Sequence, residues 1–244
     1  PDASVLDVFE VIDRRSGFVG EGLPEEKAFE SDEVHADDIP PKAPMFMGFK
    51  SDFDANQPSE DRITIQTGPF AGGTTQQLSK LDLNLNQWYN QDDRWQREAK
   101  MFCPHHAENV RIEDNGENLG TDTRIGECQP PVEAARENGV VGHSQKTADA
   151  RAEDDTPLIL RRDFNSTDDG TAGLHFLSLQ RRISDFVDTR EAMNGTEIAE
   201  ESGVGQRNNN GILQYIRTER RGNYLVPPRP LRALPPPRPT NPEI

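Results

Sequence analysis

The chain of 244 residues is long enough for one large domain or two small ones, and a hydrophobic fraction of 32% with 19 prolines and 19 glycines predicts many loops around a modest core. The formal net charge of −16 repels nucleic-acid backbones and anionic membrane surfaces, so we expect neither as a main partner. No apolar run reaches the ~20 residues of a membrane-spanning helix.

The basic residues are unevenly chosen, since only six of the 27 are lysines and the rest are arginines. An acidic, lysine-poor surface stays hydrated in molar salt, where screening over ~3 Å removes much of the self-repulsion. The composition therefore predicts a halophilic source, which we expect to be archaeal. An ordinary acidic protein with disordered acidic loops is the alternative.

The first predicted elements are short strands separated by loops. Residues 4–12 alternate and are rich in β-branched side chains, which predicts a strand. Residues 13–44 are predicted to be loop, with an acidic cluster around residues 30–38. Residues 45–49 form a short apolar run, and residues 62–67 are predicted to be a strand before the turn at Gly68-Pro69.

Helical spacing begins at residue 73. Apolar residues recur there at steps of three and four, which predicts one helix with an apolar face: Leu78, Leu81, Leu85, Trp88 and Tyr89. A second helix is predicted over residues 92–101. Residues 103–131, which contain both cysteines, are predicted to be loop.

The last third of the chain predicts two neighbouring strands and a helix. One strand begins at residue 158, and residues 173–179 alternate strongly enough to pair with it across a turn at residues 165–170. A helix is predicted over residues 181–193. The proline-rich stretch from residue 227 predicts an extended chain that either wraps its own domain or stays mobile.

Four of the five histidines are interpreted as solvated, as internally satisfied or as candidate zinc ligands. His35 lies in an acidic loop and is expected to be solvated, and His175 lies in an alternating strand and is expected either to be packed or to make a satisfied polar contact. Imidazole and thiolate are zinc ligands, so His105 and His106 are candidate ligands together with both cysteines. Against zinc, the chain lacks a paired Cys-x-x-Cys.

The two cysteines, Cys103 and Cys128, leave two alternatives open. A disulfide between them would close a loop and would indicate an oxidising compartment, whereas two buried thiols would indicate a reducing one. Sequons at Asn165 and Asn194 are compatible with glycosylation of an exported protein.

The fifth histidine belongs to an ordered set of motifs. Gly72-Gly-Thr precedes the segment with Trp88, and Val140-Val-Gly-His143 is followed by Ile159-Leu-Arg-Arg162. Gly173-Leu-His-Phe-Leu-Ser-Leu-Gln-Arg and Asn223-Tyr-Leu-Val-Pro-Pro complete the set. In this order the motifs resemble the C-terminal, haem-binding half of the dye-decolourising peroxidases, over residues 45–228.

The resemblance implies an α+β, ferredoxin-like antiparallel sheet with helices on one face, and a b-type haem. By position, His143 would be the proximal iron ligand and Arg161 the distal catalytic arginine, with Arg162 and Phe176 also contacting the cofactor. Neutral imidazole is a good iron ligand, and it is strengthened when a carboxylate or carbonyl accepts its second N–H. Arginine stays charged and can hydrogen-bond peroxide.

The catalytic acid is where the sequence departs from the family. The family's Gly-x-x-Asp-Gly motif aligns with Gly48-Phe-Lys-Ser51, so a serine stands at the position of the acid. Asp52 and Asp54 are the nearest carboxylates and are predicted to move the peroxide proton after a small loop shift.

The resulting expectation is a haem b peroxidase that reduces hydrogen peroxide and oxidises an organic donor. The alternatives are a non-catalytic haem or electron-transfer subunit of a larger exported complex, and a haem-free scaffold. We expect three parts: residues 1–44 as a remnant of an N-terminal half, residues 45–228 as the haem-binding domain, and residues 229–244 as a tail. A companion chain or missing half, an oligomer, and export rather than a cytoplasmic location are also expected.

Overall fold

A computed structural model describes residues 13–31, 36–49, 57–109 and 128–232 of the chain. The predicted strand at residues 4–12 lies outside these ranges. So do His35, Ser51, both candidate proton-transfer residues, Asp52 and Asp54, and the end of the proline-rich tail.

Four antiparallel strands form one sheet, with the spatial order β2, β3, β1, β4. In chain order they are β1 (Thr74–Leu83), β2 (Leu160–Ser166), β3 (Gly173–Gln180) and β4 (Ile216–Val226). The pairing of β2 with β3 confirms the two neighbouring strands predicted from the sequence. The turn between them was placed too early, because Asn165 and Ser166 still belong to β2.

Strand β1 corrects the helix predicted from residue 73. The apolar spacing combined two elements, since β1 ends at Leu83 and a helix begins at Leu85. Its apolar residues fall on both faces of the sheet, so no period of two is visible. Leu78 and Leu81 thus lie on opposite faces of the sheet.

Eight α-helices surround the sheet within the described ranges. In chain order they are α1 (Leu23–Lys27), α2 (Glu60–Ile63), α3 (Leu85–Gln91), α4 (Arg94–Met101), α5 (Pro104–Asn109), α6 (Pro131–Asn138), α7 (Ile183–Asn194) and α8 (Thr196–Ser202). The predicted helices over residues 92–101 and 181–193 are confirmed as α4 and α7. Short 3₁₀ turns, such as Gln145–Asp149, link them.

Three further predictions are wrong. Residues 13–44 are not all loop, because α1 lies within them. Residues 62–67 form no strand: α2 ends at Ile63, and in this segment only Ile65 makes backbone hydrogen bonds beyond the ends of α2, with Gly72 and Gly73. Gly72 has a φ of 80° and turns the chain back on itself, so this segment has no long partner strand. The predicted loop at residues 103–131 contains α5, where Pro104 occupies the first helical position that proline favours.

Helix α7 packs against β1 and β3 and gives the fold its second layer. It begins where β3 ends, with the Asp185 carboxylate accepting a hydrogen bond from the Arg182 backbone N–H at 3.1 Å, and it ends at Gly195, whose φ is 56°. Helices on an antiparallel sheet confirm the predicted α+β class.

The main hydrophobic core lies beside the sheet, around α3. Trp88 is fully buried, packs edge-on against Tyr215 with ring centroids 4.8 Å apart, and donates its indole N–H to the Met47 carbonyl at 3.1 Å. Phe46 and Phe102 belong to the same cluster, which also includes residues from the predicted 1–44 part: Ala28, Ile39 and Ala43. The apolar run at residues 45–49 is therefore core.

The cysteine alternatives are resolved, because Cys103 and Cys128 form a disulfide across a sequence separation of 25 residues, with Cα atoms 6.1 Å apart. The sequon at Asn165 is excluded as a glycan site in the folded chain. Its side chain is fully buried and bonds both the Phe46 N–H and the Pro44 carbonyl at 2.9 Å. No helix in the described part of the chain is long and apolar enough to cross a membrane.

Candidate functional site

A cavity of about 620 Å³ lies between the sheet and α7, within the ~300–1,000 Å³ typical of small-molecule sites. The face of the sheet that lines it is called the cavity face below. Strand partners share a face, and Ser79 of β1 pairs with Phe176 of β3 and Arg221 of β4. All three side chains line the cavity, opposite Phe186, Thr189, Arg190 and Met193 of α7.

His143 reaches this cavity from a tightly held loop. Its backbone N–H donates to the Lys100 carbonyl at 2.7 Å, and the Ser144 N–H donates to the Met101 carbonyl at 2.9 Å, so the loop is fixed to the end of α4. On the other side, the Val141 N–H donates to the Asn209 carbonyl at 3.0 Å. Of the histidines within the described ranges, His143 is therefore the one placed on the wall of this cavity.

The imidazole of His143 is neutral at physiological pH. Burial lowers the pKa of His143 to about 3, with further contributions from the positive charges of Lys146 and Arg161. Its Nδ1 atom is enclosed and has no hydrogen-bond partner among the described residues. The acceptor expected to strengthen a ligating imidazole is thus absent from that part of the chain.

Lys146 anchors the same loop from beneath. Its side chain is fully buried, and its ammonium donates to the Met193 carbonyl at 2.7 Å and to the carbonyl and side-chain oxygens of Asn210 at 3.2 and 2.8 Å. Burial lowers the pKa of Lys146 to about 7. These contacts join the loop that carries His143 to the end of α7 and to Asn210.

The neighbouring arginines of β2 lie on opposite faces of the sheet. Asp163 pairs with Phe176, so Arg161, two residues earlier, lies on the cavity face. Its positive charge helps to lower the pKa of His143. Arg162 is exposed on the other face and donates to the carbonyl of Arg161 at 3.2 Å. The geometry gives Arg162 no contact with this cavity.

Four further arginines line the cavity and were missed by sequence reasoning: Arg207, Arg217 of β4, and the neighbouring pair of Arg190 of α7 and Arg221 of β4. Burial, and then the charge of Arg221, lower the pKa of Arg190. No carboxylate in the described ranges pairs with either guanidinium of that pair. Two mutually repelling cations at one cavity are suited to an anionic ligand. The only sequence signal was the alternation of β4, which had not been identified as a strand.

The other histidines lie away from this cavity. His175 is buried on the opposite face of the sheet, with its Nε2 atom 3.1 Å from the Asp168 carboxylate, which confirms the satisfied polar contact predicted for it. His105 and His106 lie on α5 beside the disulfide. A larger groove of about 860 Å³ near Tyr215 has no histidine among the described residues that line it.

Residues 1–228 match DUF7405, a family of unknown function. The chain belongs to the DUF7405 family. No curated protein matches it. Family membership therefore carries no activity with it, and the chemistry of this DUF7405 protein has to be argued from its own residues.

Solved structures similar to this DUF7405 protein include a protein described as a DyP-type peroxidase from Shewanella oneidensis, with 15% identity, a TM-score of 0.50, and coverage of 75% of this chain and 51% of that one. A dye-decolorizing protein from V. cholerae has 18% identity and a TM-score of 0.47, with 74% and 51% coverage. A Rhodococcus jostii RHA1 DypB variant in complex with heme has 15% identity and a TM-score of 0.49, with 76% and 52% coverage.

The likeness to the Shewanella protein, at 15% identity, shows the fold and nothing further. This DUF7405 chain has a DyP-like α+β fold. It spans about half the length of the solved structures that it matches. Of the residues predicted for the site, His143 and Phe176 line one cavity and Arg161 lies on the same face of the sheet, whereas Arg162 lies on the opposite face, and Asp52 and Asp54 lie outside the described residues.

Proposed function

We propose that this protein binds haem b and acts as a peroxidase of the dye-decolourising type, reducing hydrogen peroxide while oxidising an organic donor. One observation carries the proposal: a neutral imidazole, that of His143, lines a cavity of about 620 Å³ whose walls also carry two arginines with no carboxylate partner in the described ranges. Neutral imidazole is the form that ligates haem iron, and haem presents two carboxylates that need cationic partners.

The residues of the cavity fit a haem in part. His143 would hold the iron, and Arg190 and Arg221 would pair with the propionates in place of Arg162. Phe176 and Phe186 offer apolar surface to the macrocycle. The lack of an acceptor for Nδ1 of His143 among the described residues is the one feature that fits less well, since it leaves the imidazole a weaker electron donor.

When bound, haem would supply the redox-active iron for the transfer of electrons from donor to peroxide. The chain's contribution is electrostatic. Arg161 lies on the cavity face, and its guanidinium can donate hydrogen bonds to a peroxide there. We assign movement of the peroxide proton to Asp52 or Asp54, because Ser51 is no comparable acid.

The test is haem binding by the purified full chain. Added haemin should bind at one equivalent per chain and give a Soret band, and His143→Ala should abolish or strongly shift that band. His105→Ala is the matched control, because His105 is a half-buried histidine outside the cavity and its loss should leave the band unchanged. No Soret band in the folded wild type, or an unchanged one in His143→Ala, would overturn the proposal.

A non-catalytic haem protein is the second candidate. Two features favour it. Ser51 stands where the dye-decolourising peroxidases have their catalytic acid, and the Nδ1 atom of His143 has no hydrogen-bond partner among the described residues. Peroxide-dependent oxidation of a dye by the haem-loaded chain decides between the two. Turnover that falls in Asp52→Asn or Asp54→Asn with the Soret band intact supports the peroxidase, and a Soret band without turnover supports the electron-transfer subunit.

A companion half is part of the proposal, because the chain spans about half the length of its structural relatives. Tyr224, 54% exposed, and the half-buried Leu177 and Leu179 lie on the sheet face away from the cavity, and they offer apolar surface to such a partner. Light scattering of the purified full chain tests whether that partner is a second copy of the chain. We expect an oligomer, and a stable monomer would contradict self-association.

A further inference from the structure

Three metal-ligating side chains meet at the start of α5, outside the cavity. Cys103 immediately precedes the helix, His106 lies in its first turn, and Cys128 approaches from the distant end of the intervening segment. Their ligand atoms all lie within 4.8 Å of one another. Cys103 and His106 are almost fully buried, at 0% and 1% exposed, and Cys128 is half-buried.

We propose that this cluster is a redox-gated zinc site: when the disulfide is reduced, Cys103, Cys128 and His106 bind one Zn²⁺. The inference is independent of haem binding. Two thiolates and one imidazole are the ligand set of open, three-ligand zinc sites, in which a water takes the fourth position. The sequence alone did not favour zinc, because it lacks a Cys-x-x-Cys pair; the fold supplies the proximity that the spacing does not.

The distances suit a tetrahedral ion. Zn–S and Zn–N bonds of about 2.3 and 2.0–2.1 Å place the ligand atoms of such a site roughly 3.4–3.8 Å apart. The ligand atoms of the present cluster already lie within 4.8 Å of one another. To reach the zinc geometry, the two sulfurs only have to move about 2 Å further apart than in a disulfide while His106 stays in place. A helix holds His106, and the Cys103 backbone is packed against Gly142, so two ligands are fixed beforehand.

The chemistry balances with a dithiol reductant. Two electrons and two protons from the reductant convert the disulfide into two thiols, and the reductant becomes a disulfide. Binding of Zn²⁺ then releases the two thiol protons to solvent, and an unprotonated ring nitrogen of His106 completes the protein ligands. In the oxidised chain the sulfurs are bonded to each other and are not thiolate ligands.

The experiment compares the oxidised and the anaerobically reduced full chain, with Co²⁺ and Zn²⁺ as the probes. We expect the reduced chain to bind one Co²⁺ with thiolate charge-transfer and tetrahedral d–d absorption, to exchange it for Zn²⁺, and to show slower thiol alkylation once zinc is bound. The oxidised chain should bind neither ion at this stoichiometry. Reduced, folded protein without a bound ion would overturn the proposal.

Variants assign the ligands. His106→Ala should weaken zinc binding at least about tenfold, since loss of even an outer-shell partner costs that much, while His105→Ala should leave it unchanged. Equal effects of the two variants would contradict the assignment. If reduction alone unfolds the chain, zinc must restore its near-UV circular dichroism; failure to restore it also refutes the site.

Discussion

At the residue scale, a one-position difference along β2 separates two arginines that the sequence presents as equivalents. Side chains alternate along a strand, so Arg161 lies on the cavity face and Arg162 lies on the other. The motif Ile-Leu-Arg-Arg predicts that one of them contacts a ligand but gives no means of choosing between them. The register of β2 with β3 makes that choice, and we propose that Arg190 and Arg221, which line the cavity from distant segments, take the role first given to Arg162.

We predict that Arg190→Ala weakens haemin binding by roughly ten- to a hundredfold, because a hydrogen-bonded charged group is worth about 1.5–3 kcal/mol. Titration of the Soret band gives the dissociation constant. Arg162→Ala is the matched control, since it removes an arginine from the sheet face away from the cavity. An equal loss in both variants would indicate a general charge effect and not a contact at the cavity.

Lys146 makes stability depend on pH in a predictable direction. Its pKa is about 7 in the folded chain, below the ~10.4 of a solvated lysine, so the unfolded chain binds more protons between these values. The destabilisation is therefore full below about pH 7 and is relieved as pH rises. We expect this residue to raise the free energy of unfolding by up to about 1.4 kcal/mol per pH unit in that window.

Urea unfolding at about pH 7.5 and about pH 9.5 isolates this contribution. The gain in unfolding free energy with pH should be smaller in Lys146→Met than in wild type, whatever the absolute stability of the variant. Lys42→Met, at an exposed position, should keep the wild-type slope. Parallel pH profiles for wild type and Lys146→Met would refute the depressed pKa.

At the scale of elements, local signals located those segments that bury one face. Helix α7 carries Phe186 on its buried side, and β3 alternates in sequence, so both were predicted. Strand β1 was not, because its leucines fall on both faces of the sheet and continued into the helical spacing of α3. The cavity was also beyond prediction, since it depends on the distance between α7 and a sheet whose central strand had been taken for a helix.

The loop that carries His143 is positioned by a close contact with the end of α4. A Cβ atom at Gly142 would lie 1.6 Å from the Phe102 carbonyl oxygen and 2.9 Å from the Cys103 nitrogen. We predict that Gly142→Ala costs about 3 kcal/mol or more, because backbone must move to relieve the overlap. Chemical denaturation measures the loss.

Gly68→Ala is the control for that substitution. Gly68 has a φ of 88°, and a Cβ atom added there would have no described atom within 4 Å, so alanine should cost only the ~1–2 kcal/mol of a left-handed conformation. If Gly142→Ala proves the milder of the two, the contact between the His143 loop and α4 is looser than the structure shows. A Soret band reduced in Gly142→Ala but not in Gly68→Ala would tie that contact to the haem site.

At the scale of the whole molecule, the main physical feature is the excess of acidic over basic residues. The net charge of −16 is a property of composition, and within the described part of the chain α7 carries two of the exposed acidic residues, Asp188 and Glu191. Mutual repulsion among such groups destabilises the compact state at low ionic strength, where the Debye length is long. The halophilic source predicted from composition has the same physical basis and stays a prediction.

We predict that raising NaCl from ~0.1 M to ~1 M stabilises the chain by about 1 kcal/mol or more, or roughly 2–4 °C in Tm, because the Debye length shortens from ~10 to ~3 Å. The double variant Asp188→Asn, Glu191→Gln should melt higher than wild type at low salt and gain less from added salt, since part of the repulsion is already gone. Sucrose stabilises by exclusion and does not screen charge, so it should raise the Tm of both proteins equally. A wild-type Tm that is flat or falls with salt would show that this charge is neutralised within the fold, and the expectation of a salt-adapted surface would be wrong.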